Sequence, residues 1–365
     1  MSIPRRKDGG IDWGFNPVTA EETALCMKDA LWRICSGKLY KIIIKGDDGQ
    51  DGLVIPFKPN RAQKRLLARL WHRNVILKAR QLGFTTLICV LWLDTALFNE
   101  NMRCGIIAQD REAAEVIFRD KVKFAYENLP PDLRATMPLS RDSATELLFA
   151  HNNSSIRVAT SMRSGTIHRL HISEFGKICA KYPEKAKEVV TGSIPAVPKS
   201  GILIIESTAE GREGEFYDIT MRAKAAKDTA KELTVRDYRF HFFAWWDANE
   251  YEMPVDSVKL TDKDNAYFAR IEAQIGQPIS LEKRAWYIAT RDADFSGSEE
   301  KMWQEYPSTP EEAFQQSTEG CYYTEQLAKA RKESRIATVP VVEGVPVNTF
   351  WDIGASDGTA IWFHQ

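Results

Sequence analysis

Short apolar runs alternate with amphipathic stretches along the first two thirds of the chain. The runs have the length and the continuous apolar character of buried strands, and they cover residues 74–79, 103–109, 169–175, 201–209 and 238–246. Helices are predicted between or before them over 59–73, 84–99 and 110–128. Continuous apolar strands separated by helices predict an α/β fold with a mainly parallel sheet that is covered by helices on both faces.

The rest of the chain has other patterns. The stretch KIIIK (41–45) predicts a short strand, and ELLFAHNNSSIRVAT (146–160) predicts a hairpin that turns at its Asn-Asn-Ser cluster. From about 250 to 335 the pattern is polar and helical, without a strand signal, and 348–365 begins a new strand. We therefore divide the chain into an N-terminal segment, an α/β core, a helical subdomain and a last segment with a linker, over 1–56, 57–249, 250–338 and 339–365.

Composition limits the class of protein. The 365 residues are 44% hydrophobic, which excludes a disordered chain, and 49 basic residues balance 50 acidic ones to a net charge of −1. A protein that coats nucleic acid would be more basic, so any such contact is local. The six cysteines form no C-x-x-C pair, which indicates free thiols in a reducing compartment. No run approaches the ~18 apolar residues of a membrane span.

The stretch KARQLGFTT (78–86) lies where a predicted strand runs into a predicted helix, and it nearly matches the phosphate-loop pattern G-x-x-x-x-G-K-[S/T]. Gly83 and Thr85 occupy the second glycine and the hydroxyl position. Lys78 stands at the first glycine position, and Phe84 stands where the pattern has lysine. The pattern therefore predicts either a nucleotide site with a displaced cation or an ordinary glycine-containing turn.

The chemistry of a phosphate loop can be supplied by this stretch. Backbone N–H groups at a helix N-terminus bind phosphate, and a threonine hydroxyl such as that of Thr85 ligates Mg²⁺. The missing positive charge would come from Lys78 or Arg80 at the start of the loop, and the sequence leaves the choice between them open.

Two further signals end predicted strands. Glu174 closes the run RLHISEF, where a carboxylate can act as a general base, and Ser173 stands where such sites often have aspartate. Ser207 and Thr208 end the run GILIIESTA, where hydroxyls can sense a γ-phosphate. Taken alone, Glu174 has the alternative interpretation of a solvent-facing glutamate at a strand end. Ser207 and Thr208, taken alone, have the alternative interpretation of a cap for the next helix. In this order, each at a strand's carboxyl end, the three signals predict an ATP-hydrolysing site.

With these motifs the chain resembles the large terminase subunit of tailed bacteriophages, the ATPase and nuclease that drives DNA into procapsids. KARQLGFTT resembles the family's shifted phosphate loop, HISEF its Walker B strand, and ESTAEG its coupling motif. FAWWDANEY and QEYPSTPEEAFQQS (304–317) resemble signatures of the later ATPase region. The resemblance extends from about 57 to 358 and implies a P-loop ATPase core of the ASCE or RecA-like type with a small helical lid subdomain.

The resemblance also implies roles for residues, with ATP and Mg²⁺ as the ligands. The implied nucleotide contacts are Gln63, Lys78, Arg80, Gln81, Gly83, Thr85, Thr86, Ser207 and Thr208. Glu174 would be the base that activates water, and Thr85 would ligate Mg²⁺. Arg163 would be the arginine that reaches a neighbouring subunit's nucleotide, with Arg157 and Arg169 as rivals.

The last segment resembles the first strand of a ribonuclease-H-like nuclease. In FWDIGASDGTA (350–360), Asp352 would bind a divalent metal, and Asp357 is a second candidate ligand. Two-metal nucleases need several carboxylates from different strands, and the family's other acids would lie downstream. Nuclease activity is therefore expected only in a longer chain.

The partners that the resemblance implies are double-stranded DNA, a terminase small subunit and the portal of the procapsid, on which the chain would form a homo-oligomeric ring. The implied location is the host cytoplasm, with no membrane contact. Two alternatives remain. A helicase-like remodelling ATPase would need a second RecA-like domain, which the remaining helical sequence cannot supply. A non-catalytic DNA- or capsid-binding scaffold would have a degenerate phosphate loop, which Phe84 keeps possible.

Overall fold

The computed structural model describes residues 3–44, 52–163, 165–315, 329–330, 333–335, 340–353 and 360–365. The chain divides into two compact units, Met1–Gln316 and Ser317–Gln365. Within the described ranges, no helix is long and apolar enough to cross a membrane.

One sheet organises the first unit. The strands of this unit are β1 (Lys41–Ile44), β2 (Leu53–Pro56), β3 (Arg73–Lys78), β4 (Arg103–Ile107), β5 (Leu139–Asp142), β6 (Glu146–Phe149), β7 (Ser155–Ala159), β8 (Arg169–Ser173), β9 (Ile202–Ser207) and β10 (Tyr238–Phe243). β1 and β2 form an antiparallel pair, and the other eight form a sheet in the order β10-β3-β9-β8-β4-β7-β6-β5. The strands from β10 to β7 run parallel, and β6 and β5 add antiparallel at one edge. The predicted α/β class with a mainly parallel sheet is confirmed.

Helices connect the parallel strands. The helices are α1 (Ala20–Met27), α2 (Ala30–Cys35), α3 (Arg61–Leu67), α4 (Phe84–Phe98), α5 (Arg111–Ile117), α6 (Phe124–Glu127), α7 (Pro131–Ala135), α8 (Phe175–Lys181), α9 (Pro183–Glu188), α10 (Glu215–Asp228), α11 (Asp262–Ile275), α12 (Leu281–Asp294), α13 (Glu299–Glu305) and α14 (Pro310–Ala313). Helix α4 follows β3, α8 follows β8 and α10 follows β9. Crossover helices of this kind are what parallel neighbours require.

Both faces of the sheet are buried. Along β3, Ile76 belongs to one buried cluster, whereas Val75 and Leu77 belong to a second one. Trp92 of α4 lies in the first cluster and Phe216 of α10 in the second. Because successive strand residues point to opposite faces, a strand that is covered on both sides is apolar throughout.

Two predicted helices differ from the observed ones. Helix α3 ends at Leu67, well before residue 73, because the chain turns there to enter β3. The Asn74 side chain closes this turn by accepting from the Trp71 backbone N–H at 3.0 Å and donating to its carbonyl at 2.7 Å. The helix predicted over 110–128 is interrupted by a π-helical stretch, Phe118–Lys123, between α5 and α6.

The hairpin predicted over 146–160 is confirmed by the antiparallel pair β6 and β7. Its turn contains Asn153 in the left-handed region at φ 53°, which asparagine tolerates better than most residues. Strand β5, with the polar sequence LSRD, pairs outside β6 and was not predicted, because it carries no apolar run.

The helical stretch after β10 packs on the same core as the sheet. Phe268 of α11, Tyr287 of α12 and Met302 of α13 belong to the cluster that contains Trp92. Within the described part of 250–315 no strand occurs, as predicted. The domain boundary expected at residue 249 stays a prediction.

The stretch PSTPEEAF holds this region together through buried polar groups. The Ser308 hydroxyl accepts from the Trp245 indole at 2.9 Å, and the Ser308 backbone N–H donates to Glu312 at 2.5 Å. Tyr267 donates to the same carboxylate at 2.7 Å. The signature PSTPEEAF therefore has a structural role, because its Ser308 and Glu312 provide the hydrogen-bond partners that buried polar groups need.

The second unit contains β11 (Asn348–Asp352) and β12 (Ala360–His364), which pair antiparallel. The new strand predicted near residue 348 is therefore present. Asp352 is exposed at the end of β11. Asp357, the second candidate for a metal ligand, lies outside the described residues.

Candidate functional site

The turn between β3 and α4 has an open helix N-terminus. Gly83, the residue before α4, lies in the left-handed region at φ 71° and makes no side-chain cap, and Gln81 lies there too at φ 57°. A Cβ on Gly83 would come within 2.7 Å of the Gln63 side-chain nitrogen, so glycine suits this position for two reasons. The uncapped N–H groups of a 15-residue helix provide the backbone part of a phosphate site.

Gln63 is buried behind this turn. Its side-chain nitrogen donates to the Gly83 carbonyl at 2.7 Å, and its oxygen accepts from the Asn60 backbone N–H at 2.9 Å. Both ends of the amide are therefore engaged within the protein. The implied contact of Gln63 with the nucleotide stays a prediction, while the observed contacts fix the position of the loop.

Lys78 ends β3 in a buried position between two carboxylates. Its Nζ lies 3.0 Å from Oε1 of Glu174 and 3.1 Å from Oε2 of Glu206. Burial alone would lower the pKa of Lys78, but the two carboxylates outweigh it and raise the pKa above its ordinary value. Lys78 therefore carries its charge at neutral pH.

Glu206 is the centre of the site, and it was not among the predicted residues. It is fully buried near the end of β9. Its Oε1 accepts from the Thr85 hydroxyl at 3.0 Å and from the Ser173 hydroxyl at 2.9 Å, and it lies 3.3 Å from Nε2 of His171. The available signal was a single acidic residue within the apolar run GILIIES, because a charge in a buried strand needs partners.

The charge state of Glu206 follows from these neighbours. Burial by itself would raise the pKa of this carboxyl, but Lys78 first, and then His171 and Ser173, lower it below its ordinary value. Glu206 is therefore ionised at neutral pH, and the buried group consists of one cation and two carboxylates.

Glu174 connects β8 to α8 in a strained backbone position. Its φ of 52° and ψ of 47° lie in the left-handed region, which a glutamate rarely adopts. Its Oε1 faces Lys78, its Oε2 lies 3.7 Å from Lys177, and 27% of its side chain is exposed. The strain turns a carboxylate at the strand's carboxyl end toward Lys78, and such strain is concentrated at functional sites.

The remaining hydroxyls surround this group. Thr86 accepts from Nζ of Lys121 at 3.0 Å, so a residue of the π-helical stretch supports the first turn of α4. Ser207 and Thr208 are buried, and their hydroxyls have no hydrogen-bond partner in the described part of the chain. A Cβ added to Gly176 would lie 2.8 Å from the Ser207 oxygen, so α8 approaches the end of β9 closely.

Arg80 lies in the loop and is held by the helical stretch. Its Nε is 3.4 Å from Oε2 of Glu305, and its backbone N–H donates to the Glu305 carbonyl at 3.0 Å. Tyr251 donates to the Arg80 carbonyl. The Arg80 side chain is 45% exposed, whereas that of Lys78 is 6% exposed, so Arg80 is the more accessible of the two cations.

Arg163, the arginine predicted to act in trans, does not belong to the buried group of Lys78, Glu174 and Glu206. Arg163 is in the connection from β7 to β8, its side chain is 63% exposed, and it pairs with Glu188. Together with Arg157 it lines a cavity of about 640 Å³, and Arg169 donates to the His168 carbonyl at 2.9 Å. In the described structure Arg163 makes no ion pair with Glu174 or Glu206.

The residues present suit a nucleotide with magnesium. Mg²⁺ is usually bound through one or two protein oxygen groups and the substrate's phosphates, with waters completing its octahedron. The Thr85 hydroxyl and the Glu206 carboxylate are such groups, and they adjoin the open N-terminus of α4. Among the described residues, no cluster of three or more His, Cys, Asp or Glu side chains forms an all-protein metal cage.

Fold and site together define an α/β protein with a phosphate-loop-like turn and a buried lysine–carboxylate group at the carboxyl edge of a mainly parallel sheet. No protein-family model matches the chain, and neither does any curated protein. Among solved structures, the chain is similar to the large terminase ATPase domain of Thermus phage P74-26, with a TM-score of 0.48 and 17% identity over 69% of this chain and 94% of that one.

The chain is also similar in structure to two other proteins, a second phage terminase and a DEAD box protein. The large terminase of bacteriophage HK97 is matched with a TM-score of 0.48 and 16% identity, over 77% of this chain and 54% of that one. A DEAD box protein from Methanococcus jannaschii is matched with a TM-score of 0.33 and 15% identity, over 66% of this chain and 72% of that one.

Proposed function

We propose that the chain is an ATP-hydrolysing motor subunit that moves double-stranded DNA into a viral procapsid. The observation that supports ATP hydrolysis is the group of Lys78, Glu174 and Glu206 next to the uncapped N-terminus of α4. The role in packaging is supported by the sequence resemblance, which includes QEYPSTPEEAFQQS as well as the loop.

Each residue has a separate task in this proposal. The N–H groups of α4 bind the phosphates, and the exposed Arg80 supplies the cation that faces them. Lys78 orients the two carboxylates, and Glu174 accepts a proton from the attacking water. Ser207 and Thr208 sense the γ-phosphate and pass its loss to α8. Mg²⁺, when bound through Thr85, neutralises charge on the phosphates.

This assignment separates the two candidate cations. Lys78 is almost fully buried and has two carboxylate partners, so its charge is already compensated within the protein. Arg80 has one partner at 3.4 Å and is half exposed. A negatively charged phosphate therefore gains more from Arg80, whereas Lys78 keeps Glu174 in place.

Assembly completes the proposal. On a ring attached to the portal, Arg163 of one subunit would leave Glu188 and reach the nucleotide of the next subunit. Its exposure and its position outside the buried group agree with a role in trans. A terminase small subunit and the host cytoplasm are the proposed partner and location. The proposed role of Asp352 is that of a metal ligand in a ribonuclease-H-like nuclease.

The variant Glu174→Gln tests the hydrolytic mechanism. Loss of the base is expected to slow ATP turnover by about 10²–10⁴-fold while nucleotide binding stays unchanged. Phosphate release measures turnover, and the anisotropy of a fluorescent nucleotide measures binding. The exposed Glu184, changed to Gln, is the matched control and should behave as the wild type. Full turnover by Glu174→Gln contradicts the assignment.

A second experiment tests the motor. The wild-type chain's ATPase rate is measured with and without double-stranded DNA, and with and without procapsids. Stimulation by both is expected for a packaging motor. Stimulation by DNA alone indicates a helicase-like remodelling enzyme, and DNA or capsid binding without turnover indicates a scaffold.

A further inference from the structure

We propose that Glu206 is the carboxylate that organises the magnesium side of the nucleotide site, in the role that an aspartate at position 173 would have. The inference rests on the proposed ATPase function and adds to it a role for Glu206, the first residue of ESTAEG, to which the sequence analysis assigned none. It depends on the order of the strands, on the register between β8 and β9, and on the contacts that Glu206 makes.

Strand order brings Glu206 to the site. Strand β9 lies between β3, which leads into the phosphate loop, and β8, which ends before Glu174. In register, Glu206 pairs with Ile76 on one side and with Ser173 on the other. A carboxylate at this position therefore reaches both the loop and the end of β8.

Two hydrogen bonds of Glu206 connect the aspartate position with the phosphate loop. Ser173 occupies the aspartate position, and its hydroxyl donates to Oε1 of Glu206 at 2.9 Å. The same oxygen accepts from the Thr85 hydroxyl at 3.0 Å. The threonine predicted to ligate Mg²⁺ is thus oriented by a carboxylate on the neighbouring strand.

This contact directs Thr85 toward a cation. Because the Thr85 proton is donated to Glu206, the lone pairs of the hydroxyl oxygen remain for a metal ion. A nearby carboxylate also accepts hydrogen bonds from the water that surrounds Mg²⁺, and such partners of metal ligands strongly affect metal affinity. The fully buried position fixes the carboxylate in this orientation.

A merely structural role is the competing explanation. Glu206 also pairs with Lys78 and lies beside His171, so it could serve only to neutralise a buried cation. The two roles differ in one measurable respect. If the role is structural, replacing Glu206 weakens nucleotide binding equally with and without Mg²⁺, whereas in the proposed role it lowers the enhancement that Mg²⁺ gives and does not weaken binding without Mg²⁺.

The experiment measures this enhancement. The full chain binds N-methylanthraniloyl-ADP in excess EDTA and in Mg²⁺, and the ratio of the two dissociation constants is compared between the wild type and Glu206→Gln. The ratio is expected to fall by about tenfold or more. In EDTA, the variant should bind as well as the wild type or more tightly, because a negative charge near the phosphates is removed. Paramagnetic resonance of Mn²⁺ with ADP gives a second measure of metal affinity.

A double variant that places the carboxylate at position 173 instead of 206 tests whether the Mg²⁺ enhancement can be restored. Ser173→Asp combined with Glu206→Gln should recover most of the lost enhancement, since the charge then reaches Thr85 from β8. Glu206→Asp, which keeps the charge on a shorter side chain, should show a smaller loss and remains available if the glutamine variant does not fold. Glu312→Gln is the matched control, because Glu312 is also a buried glutamate and contacts Tyr267 and Ser308 instead.

The outcomes separate this inference from the proposed function. If the wild type binds no nucleotide, the ATPase proposal fails, and this inference fails with it. If the wild type shows the Mg²⁺ enhancement and Glu206→Gln keeps it, the role of Glu206 is refuted while the ATPase proposal stands. An equal loss in EDTA and in Mg²⁺ also refutes it.

Discussion

Replacing Lys78 by methionine would leave two carboxylates without their shared cation. Glu206 is fully buried, whereas 27% of the Glu174 side chain is exposed and Lys177 lies 3.7 Å away from it. The main cost therefore falls on Glu206. Methionine has a similar length and no charge, so the change removes the charge with little loss of packing.

The magnitude follows from the geometry. Two unit charges 3.1 Å apart attract with about 5 kcal/mol at an effective dielectric constant of 20. Removing one partner of a buried ion pair costs about 3–5 kcal/mol, because the other charge stays buried. We expect Lys78→Met to lower the free energy of unfolding by about 3–5 kcal/mol at pH 7.

The free energy of unfolding that Lys78→Met loses should be smaller at acidic pH than at pH 7. In the wild type the pKa of Glu206 is lowered, so its contribution to stability is present above its ordinary value of 4.5 and decreases as pH falls below that. In Lys78→Met, burial would raise the pKa of Glu206, and protonation would then relieve the penalty as pH falls toward 4.5. The effect in the variant brings the two proteins closer together between pH 7 and pH 4.5, and the effect in the wild type adds to it only below pH 4.5.

Urea unfolding, followed by tryptophan fluorescence at pH 7 and pH 4.5, measures the difference. The double variant Lys78→Met/Glu206→Gln should recover most of the stability, since a neutral pair replaces the ion pair. Lys231→Met is the control, because Lys231 pairs with Asp237 at an exposed site and should cost at most about 1 kcal/mol. A Lys78→Met protein as stable as the wild type at pH 7, or one not rescued by Glu206→Gln, refutes this reasoning.

Three other substitutions test separate parts of the molecule. Arg80→Ala should weaken binding of a fluorescent nucleotide by about tenfold, as loss of a charged hydrogen bond does; unchanged affinity would assign the phosphate charge to Lys78. Asp94→Ala should lower stability in urea by about 3–5 kcal/mol, because Arg33 is buried against it at 2.7 Å; a cost below about 1 kcal/mol contradicts this. Arg163→Ala should slow ATP turnover of the assembled ring by about 10³-fold and spare the monomer, and equal loss in both indicates a role within one subunit.

Local patterns were sufficient to select several residues of the candidate site, and the roles of these residues stay predictions. Glycine and threonine at the start of a helix identified the loop of Gly83 and Thr85, and a glutamate after an apolar strand identified Glu174. The capping box that Asn60 and Gln63 form at the start of α3 was not predicted, although both of its residues are local in sequence.

Other features were not readable locally. Ser173 was noticed as a departure from aspartate, but its partner Glu206 is 33 residues further along the chain. Only the pairing of β8 with β9 brings the two together. Likewise, Glu305 and Tyr251 hold Arg80 from the helical stretch after β10, and no spacing rule connects them with the loop.

The sequence by itself determined the α/β class, most of the elements and the strand-end residues Glu174 and Ser207, since these depend on periodicity and on local hydrogen bonding. The tertiary structure decided which strands are neighbours. Because β9 lies between β3 and β8, Lys78 meets Glu206 as well as Glu174, and Thr85 is oriented from β9. Strand pairing is a non-local choice that follows from burial of the whole sheet, so the central carboxylate became evident only in the fold.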